Sequence, residues 1–370
     1  MSDIPNSDTQ ELRRTALHDL HVDAGARMVD FAGWSMPVQY ESAKDEHLHT
    51  RTATSLFDVG HMAVVDLRGA DAATALEALT PSAVTDLAIG RSRYMVMTNG
   101  DGGVIDDLIA TRVADDLVRV VANASRADID IAHLRANLGA GVEVVVRDDL
   151  GLLAIQGPTS AQALAAVDED PGDLVFLDGR PAAFGDDTWI SRSGYTGEDG
   201  FEVVAPHDVL QDIAQRLLAR DDVAWAGLAA RDSLRLEAGL CLYGNDLDET
   251  TTPIEAGLVW TIPKARRGGG SHPGADVIAD QVEHGPSRRL RGLAVTGRRP
   301  VRDGATLSLD GREVGTVTSG GWGASVDAPV AMGYVAADVA PGTELVADVR
   351  GSDVAVTVVT LPHVPHRYVR

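Results

Sequence analysis

The sequence is poor in cysteine, and it has no long run of apolar residues. Cys241 is the single cysteine among 370 residues, which excludes a disulfide within the chain and any zinc or iron–sulfur site built from several cysteines. No apolar stretch approaches the roughly 20 residues that a membrane-spanning helix needs. Residues 1–14 are polar and of mixed charge, unlike a secretory signal or a transit peptide. We therefore expect a soluble, cytoplasmic protein that does not associate with membranes.

Basic residues are also scarce. The chain has 32 Lys and Arg against 55 Asp and Glu, which gives a formal net charge of −23 and a pI near 4.7. Nucleic-acid binding requires a basic face that neutralises phosphates, so this balance argues against it. One segment differs: residues 264–302 carry nine basic and three acidic side chains. This segment is either a solvated loop or a surface that steers an acidic partner toward the protein.

Several common catalytic motifs are missing. The sequence contains no Walker loop, no dinucleotide-binding fingerprint and no G-x-S-x-G nucleophile elbow. Two histidines and two aspartates fall within residues 18–23, but one local group does not define a catalytic zinc site, and we expect no metal. His47 and His49 are predicted to lie on a strand, with only Glu46 as an acidic neighbour.

Helical and strand patterns mix without regular alternation in the first two thirds of the chain. Ser125 and Asp128 predict a capping box for a helix that Gly139 ends. A second helix is predicted after Pro206, with its apolar face formed by Leu210, Ile213 and Leu217. Strand-like runs cover residues 142–147, 152–156, 188–191 and 201–204. This order favours an α+β architecture over a doubly wound parallel sheet.

The last part of the chain is predicted to be almost entirely strand. The predicted strands cover residues 306–309, 312–317, 331–335, 344–349 and 354–360. Asp310-Gly311 between the first two is typical of a hairpin turn. Five or six short strands in about eighty residues indicate a small barrel or sandwich. Since a Gly- and Arg-rich connector begins near Lys264, we predict that this strand-rich part is a different domain.

A Gly-rich turn between two predicted strands carries a pair of carboxylates. Residues 94–109 read YMVMTNGDGGVIDDLI. Neighbours on a strand point to opposite faces, so only one of Asp106 and Asp107 can enter a given pocket. A carboxylate above an apolar floor is a candidate base or charge stabiliser. The alternative is a hairpin with a solvated Asp pair, and spacing alone favours it.

A second Gly-rich segment surrounds Tyr195, in the sequence SRSGYTGEDGFE of residues 191–202. Such a loop lets the backbone approach a flat ligand on which Tyr195 can stack, or it is an ordinary turn between strands. Farther along, Arg231 and Arg235 stand four residues apart on one face of a predicted helix. An Arg with acidic neighbours in such a position is usually part of a surface ion pair.

Taken together and in order, these segments resemble the T proteins of the glycine cleavage system, the aminomethyltransferase family. The matching motifs are TALH (15–18), GARMVDFAGWSMP (25–37), LFDVGHM (56–62), the 94–107 segment, QGP (156–158), GYTGEDGFE (194–202), GLAARD (227–232), RLEA (235–238), YG (243–244), PIEAGL (253–258) and GTVTSG (315–320). They cover nearly the whole chain. Three places depart from the family: Gly60 replaces a usual Ser, residues 264–280 follow the pattern only loosely, and GAS (323–325) replaces a usual Ser-Pro.

The resemblance implies a three-lobed α+β fold, with two intertwined lobes in residues 1–285 and a C-terminal β-barrel from residue 286. It also implies an enzyme that accepts an aminomethyl group, carried as a thioether on the lipoyl arm of the H protein. Tetrahydrofolate would take up the carbon, giving 5,10-methylenetetrahydrofolate, ammonia and dihydrolipoyl H protein. The H protein would be the partner, in a transient complex with the P and L proteins.

The resemblance further assigns roles to seven residues. Asp107 matches the family's essential Asp near folate N10, where it would stabilise a developing cationic, iminium-like centre and assist proton transfer. Glu202 and Arg231 match the residues that face the donor/donor/acceptor edge of the pterin. The other matches are Tyr94 and Tyr195 as aromatic groups flanking the folate, Asn123 lining the pocket and Tyr368 as a further ligand contact.

Two related functions stay open. One is a folate-dependent demethylase, which would take a methyl group from a sulfonium or amine donor and share the folate residues. The other is a non-catalytic folate-binding protein of iron–sulfur assembly. The intact pair of Asp106 and Asp107 argues against the second.

Overall fold

The computed structural model describes residues 11–370. In chain order its strands are β1 (Arg13–Arg14), β2 (Arg27–Phe31), β3 (Trp34–Gln39), β4 (Thr54–Asp58), β5 (Ala63–Arg68), β6 (Ser92–Thr98), β7 (Val104–Ala114), β8 (Leu117–Ala122), β9 (Glu143–Val146), β10 (Leu150–Gln156), β11 (Gly179–Pro181), β12 (Trp189–Ser191), β13 (Gly200–Pro206), β14 (Val223–Trp225), β15 (Arg288–Val295), β16 (Thr306–Leu309), β17 (Arg312–Gly323), β18 (Ala328–Ala336), β19 (Glu344–Asp348) and β20 (Asp353–Val359).

Eight α-helices are present in the described part of the chain. They are α1 (His18–Asp23), α2 (Ala43–Thr52), α3 (Ala72–Glu77), α4 (Ala127–Asn137), α5 (Ser160–Ala165), α6 (His207–Leu218), α7 (Leu228–Glu237) and α8 (Ala275–His284). Two 3-10 turns cover Val259–Thr261 and Lys264–Arg266. Within residues 11–370, no helix has the length and apolar character needed to cross a membrane. Most of the N-terminal segment discussed above falls in residues 1–10, outside the described residues.

Two sheets form the first two lobes, and the chain passes between them. The six-stranded sheet has the order β11-β12-β13-β10-β4-β14, and the five-stranded sheet has the order β6-β7-β8-β5-β9. Strand β4 belongs to the first sheet, strands β5 to β9 build the second, and β10 returns to pair antiparallel with β4. The first lobe is therefore interrupted in the chain by the second, because strands β5 to β9 lie between β4 and β10.

Helix α6 covers the six-stranded sheet with a clear apolar face. Its residues Leu210, Ile213 and Leu217 are buried in one core with Leu153 and Phe201 of the sheet. Burying a side chain of this size stabilises the fold by about 1.5–3 kcal/mol. The helix predicted after Pro206 is thus confirmed, since the period of its apolar residues matches a helix packed on one side.

The third lobe is a closed barrel of six strands in the order β15-β18-β17-β16-β19-β20. Strand β15 closes the barrel by pairing antiparallel with β20. The turn between β16 and β17 places Asp310 and Gly311 at φ 51° and 79°, the left-handed geometry of a tight hairpin. This lobe confirms the predicted C-terminal barrel, and the whole chain has the predicted α+β architecture.

The chain after the barrel returns to the first two lobes. The backbone N–H of Phe176 donates to the carbonyl of Val369 at 2.7 Å, and the N–H of Arg367 donates to Gly197 O at 2.8 Å. The last ten residues therefore pack beside the Gly-rich loop around Tyr195. The division of the chain after residue 285 stays a prediction.

Two local predictions are wrong. His47 and His49 lie on α2, where Ser42 Oγ accepts the N–H of Asp45 at 3.3 Å and caps the helix start. Helix α4 begins after Arg126 without a side-chain cap, so Ser125 forms no capping box. Its end is as predicted, since Gly139 has φ 78°.

Candidate functional site

The hairpin of β6 and β7 brings Tyr94, Asp107 and Asn123 into direct contact. Tyr94 Oη donates to Asp107 Oδ2 at 2.9 Å. Asn123, directly after β8, donates from Nδ2 to Asp107 Oδ1 at 3.0 Å. Both oxygens of the Asp107 carboxylate are thus held by neutral donors on adjacent strands, which fixes the direction in which the carboxylate faces.

A tight turn sets the register of this hairpin. Asn99 Oδ1 accepts the N–H groups of Asp101 and Gly103 at 3.0 and 2.9 Å. A Cβ on Gly103 would lie 1.8 Å from the carbonyl oxygen of Glu249, so only glycine fits at this position. The turn therefore fixes where β7 begins and which face each of its two aspartates occupies.

The two aspartates differ in exposure, as strand alternation predicts. Asp106 is completely buried, whereas Asp107 is half-buried. The alternative of a solvated Asp pair is wrong, because the hairpin is packed against neighbouring structure. Burial and the nearby Asp106 charge raise the pKa of Asp107 to about 7, although the hydrogen bonds from Tyr94 and Asn123 act in the opposite direction. Asp107 therefore gains or loses its proton close to neutral pH.

The Gly-rich loop holds Tyr195 next to Arg231. Arg192 and Asp199 brace the loop with two hydrogen bonds of 2.8 and 2.6 Å. A Cβ on Gly194 would lie 1.9 Å from Gln156 Oε1, so the loop backbone packs directly on that side chain. Tyr195 Oη donates to the carbonyl of Cys241. The Arg231 guanidinium lies 4.8 Å from the centre of the Tyr195 ring, in the geometry of a cation–π contact.

Arg231 and Glu202 have unused hydrogen-bonding capacity. Arg231 Nη1 is buried and has no hydrogen-bond partner among residues 11–370. Burial lowers the pKa of Arg231, and the negative charge of Glu202 opposes this shift. Within the same residues, Glu202 accepts one side-chain hydrogen bond, from Ser193 Oγ to Oε2 at 2.6 Å. A buried N–H without a partner is costly, so this arrangement indicates a ligand that presents an acceptor to Arg231.

Tyr195 and Asp107 connect the two groups of residues. The charge of Asp107 raises the pKa of Tyr195, and burial raises it more strongly. The structure therefore brings six of the seven predicted residues together in two groups. Asp107 contacts Tyr94 and Asn123, and Arg231 lies beside Tyr195 and Glu202. The seventh residue, Tyr368, has no hydrogen bond or ring contact with either group among residues 11–370. Its ring stacks on Phe176 at 4.0 Å, with an angle of 7° between the planes.

Comparisons with known proteins agree over nearly the whole chain. The family described as GCVT N-terminal domain matches residues 17–266, and the family described as Glycine cleavage T-protein C-terminal barrel domain matches residues 288–364. The chain belongs to the aminomethyltransferase family. The predicted resemblance is thus confirmed, and with it the assignment of the chain as an enzyme of this family.

Individual relatives show the same extent of similarity. The mitochondrial aminomethyltransferase of Homo sapiens is 43% identical over 98% of this chain and 93% of its own length. That of Flaveria anomala is 42% identical over 97% of this chain and 91% of its own length. The crystal structure of the glycine cleavage system aminomethyltransferase T from Bartonella henselae is 44% identical, covers 97% of this chain and 100% of its own, and superposes with a TM-score of 0.93.

Two residues near the site were not predicted. Trp260 is 62% exposed and stacks on Tyr94 at 5.7 Å between ring centres. Both line a cleft of about 250 Å³, so Tyr94 lies between this cleft and Asp107. Asp130 is fully buried on α4, beside Asp106. Its position four residues before the buried Leu134 puts it on the apolar face of the helix, a sequence signal that could have singled it out.

Arg235 has a structural role that the sequence analysis described wrongly. It is 2% exposed, and its guanidinium donates to Asp246 Oδ2 at 2.8 Å and to Ser319 Oγ at 2.9 Å. Ser319 belongs to β17, so Arg235 joins α7 to the barrel. The expected surface ion pair is only the minor contact, with the more exposed Asp232.

Much of the basic segment 264–302 is used inside the structure. Arg266 donates to Glu77 Oε1 at 2.9 Å and to two backbone carbonyls of the five-stranded lobe. Arg288 pairs with Glu255 at 3.1 Å. In contrast, Lys264, Arg289, Arg291 and Arg298 form no ion pair or side-chain hydrogen bond with any residue from 11 to 370. These four residues have charges left for an external partner.

Proposed function

We propose that the protein transfers the carbon of an aminomethyl group, carried on the lipoyl arm of the H protein, to tetrahydrofolate. The carbon leaves sulfur and nitrogen and forms two new bonds to folate nitrogens, without net oxidation. The two hydrogens released from those nitrogens end on the lipoyl sulfur and on ammonia. Tetrahydrofolate is here a co-substrate, and it supplies the two nucleophilic nitrogens.

The observation that carries the proposal is the unpartnered Nη1 of Arg231 near Glu202. A pterin edge offers a carbonyl acceptor to a guanidinium and N–H donors to a carboxylate. Arg231 has a free donor and Glu202 a free acceptor position in the described structure, so these residues fit the folate. Tyr195, covered on one face by Arg231, would pack against the bound heterocycle.

Asp107 would act on the reacting end of the co-substrate. With a pKa of about 7, its carboxyl can accept a proton and return it near neutral pH. As an anion held by Tyr94 and Asn123, it would also stabilise positive charge that develops during the transfer. Asp107 is the residue to which we assign catalysis, and Tyr94, Asn123, Tyr195, Glu202, Arg231 and Tyr368 are assigned to folate binding.

The comparisons favour an aminomethyl donor over the methyl donor of the demethylase alternative. Relatives that are 42% and 43% identical are named aminomethyltransferases. On the same basis we propose the H protein as partner, in transient complex with the P and L proteins, with no nucleic acid or membrane involved. A cytoplasmic location stays a prediction, and the relatives quoted above are named as mitochondrial proteins.

The test is a reconstituted reaction. The purified protein is mixed with tetrahydrofolate and H protein whose lipoyl arm carries the aminomethyl group. We expect methylenetetrahydrofolate and ammonia in equal amounts, both lost when folate is omitted. Parallel reactions receive dimethylglycine or a methylsulfonium donor in place of loaded H protein. Methyl transfer from one of these donors, with no product from loaded H protein, would show that the protein is a demethylase.

A further inference from the structure

Asp130 is a buried carboxyl in an environment that does not favour its charge. It is completely buried in the first turn of α4. Neither of its oxygens accepts a hydrogen bond from any N–H or hydroxyl donor within residues 11–370. An ionised carboxylate without donors is strongly destabilised in a protein interior, so the group keeps its proton. Burial and the neighbouring Asp106 raise the pKa of Asp130 to about 10, despite the opposing charge of Arg126.

Asp106 is the neighbouring carboxyl that can accept this proton. After burial, Asp106 is the strongest influence that raises the pKa of Asp130. Asp106 also accepts the backbone N–H of Asn123 at 3.2 Å and Asn123 Nδ2 at 2.9 Å. Because two N–H donors of Asn123 are directed at Asp106, whereas no donor within residues 11–370 is directed at Asp130, Asp106 is the member of the pair that carries the negative charge.

The Asn123 amide connects this pair to Asp107. Its Nδ2 lies 2.9 Å from Asp106 Oδ1 and 3.0 Å from Asp107 Oδ1. A side-chain amide has two N–H hydrogens, so one can serve each aspartate. Both Asp106 oxygens accept N–H donors from Asn123, which favours the ionised form of Asp106.

We propose that Asp130 is a positioning residue for Asp107: it donates its carboxyl hydrogen to Asp106, which stays an anion, orients the Asn123 amide and adds its charge to the surroundings of Asp107. This proposal rests on the proposed function only in the catalytic role of Asp107. The chain Asp130–Asp106–Asn123–Asp107 is a property of the free protein and can be measured without turnover.

Other titratable groups face this chain from several elements. They are Tyr94 on β6, Tyr195 in the Gly-rich loop, Cys241 and Tyr243 after α7, and Arg126 before α4. Burial raises the pKa of the three tyrosines and of Cys241 above their usual values. Arg126 remains a cation, with its pKa raised by Glu249 and other anions. Asp107, with a pKa of about 7, is therefore the group among these that titrates near neutral pH.

The first test measures the protonation state of Asp130 in the wild-type protein. The full-length protein is labelled with ¹³C at the aspartate side-chain carboxyls and titrated by NMR between pH 5 and pH 9, a range that brackets the pKa of Asp107, about 7, and stays below that of Asp130, about 10. Asp107→Asn and Asp130→Asn assign the two resonances. We expect Asp130 to have the chemical shift of a protonated acid at pH 7. A carboxylate shift for Asp130 at that pH would overturn the proposal.

The second test separates the donated hydrogen from simple packing. Asp130→Asn keeps a donor of the same shape, whereas Asp130→Leu has similar bulk without one. Asp130→Leu should make Asp106 easier to protonate, so that the pKa of Asp107 falls by about one pH unit or more. The same variant should lose roughly tenfold in kcat. Asp130→Asn and the exposed control Asp128→Asn should keep both values near those of the wild type.

Each outcome has a single meaning for Asp130. If Asp130→Leu leaves the pKa of Asp107 unchanged, or if Asp130→Asn shifts it equally, Asp130 has only a packing role. Should Asp130→Leu not fold, the chemical shift of Asp130 in the wild type still decides. An Asp107→Asn variant that keeps full activity would contradict the proposed function, while the NMR result for Asp130 would stand separately.

Discussion

Asp107→Asn is the substitution that tests the catalytic assignment most directly. It removes one charge and keeps the shape of the side chain. The amide oxygen can still accept the Tyr94 hydroxyl, which lies 2.9 Å from the present carboxylate. The new amide nitrogen faces Asn123 Nδ2, which is also a donor, so the substitution removes that hydrogen bond together with the charge and the exchangeable proton of Asp107.

The expected loss follows from the Coulomb energy at the site. Two unit charges about 4 Å apart interact by roughly 4 kcal/mol at the effective dielectric constant of a protein surface, about 20. If that interaction exists in the transition state and is weaker in the ground state, its loss lowers kcat by roughly 10³-fold. The KM for tetrahydrofolate should change little, because we assign binding of the pterin edge to Glu202 and Arg231 and not to Asp107.

The assay is steady-state turnover with aminomethyl-loaded H protein, run beside thermal unfolding. Asp101→Asn is the matched control, because Asp101 is an exposed aspartate in the turn of the same hairpin. This control should keep wild-type turnover. Turnover of Asp107→Asn within about threefold of the wild type, a difference below 1 kcal/mol, would refute the catalytic role.

The same variant also has an expected effect on stability. The pKa of Asp107 in the folded protein, about 7, lies above the ordinary value of 3.8, so the folded state binds the proton more tightly than the unfolded chain. Stability contributed by the protonated carboxyl is present at low pH and is lost as the pH rises through about 7. Asp107→Asn cannot ionise, so it should unfold at a higher temperature than the wild type at pH 8, and this advantage should shrink toward pH 5.

Three further substitutions have expected outcomes. Glu202→Ala should weaken folate binding by thirty-fold to several thousand-fold, because losing a buried charged partner costs ~2–5 kcal/mol. Calorimetry measures the affinity, and unchanged affinity with a collapse of stability in the ligand-free protein would show that Glu202 has a structural role. Tyr94→Phe should raise the pKa of Asp107 above about 7, because it removes a hydrogen bond to the anion, and the acid limb of the pH–rate profile should move upward. Charge reversal of Lys264 and Arg289 should slow turnover with H protein at low salt but not at ~0.5 M salt, where charges are screened. Turnover with free aminomethyl-lipoate should not change, and an equal loss of turnover at all salt concentrations would contradict electrostatic steering of the H protein.

The elements that the sequence predicted well are those whose pattern is local. Barrel strands show the period of two residues, and Asp310-Gly311 marks a hairpin in the residues themselves. The helix after Pro206 has an apolar face that contacts a single sheet. In such cases the side-chain period and the turn residues contain the necessary information.

The roles of two residues could not be predicted from the sequence, because their partners are far away along the chain. Arg235 resembles a surface residue until the barrel brings Ser319, 84 positions later, against it. The role of Asp130 on α4 depends on Asp106, which lies on strand β7. For His47 the deciding signal was local but was overlooked, since Ser42 caps the start of the helix that contains it.

The free protein maintains two groups at the site in unfavourable states. Arg231 has a buried N–H without a partner, and Asp107 has a pKa raised to about 7. Both conditions cost stability, and packing elsewhere, such as the Arg235 contacts to Asp246, must offset them. A ligand that offers an acceptor to Arg231 and a cationic centre to Asp107 removes both costs at once. Part of its binding energy therefore comes from relief of destabilisation already present in the empty site, which is how a preorganised site favours charge that develops during a reaction.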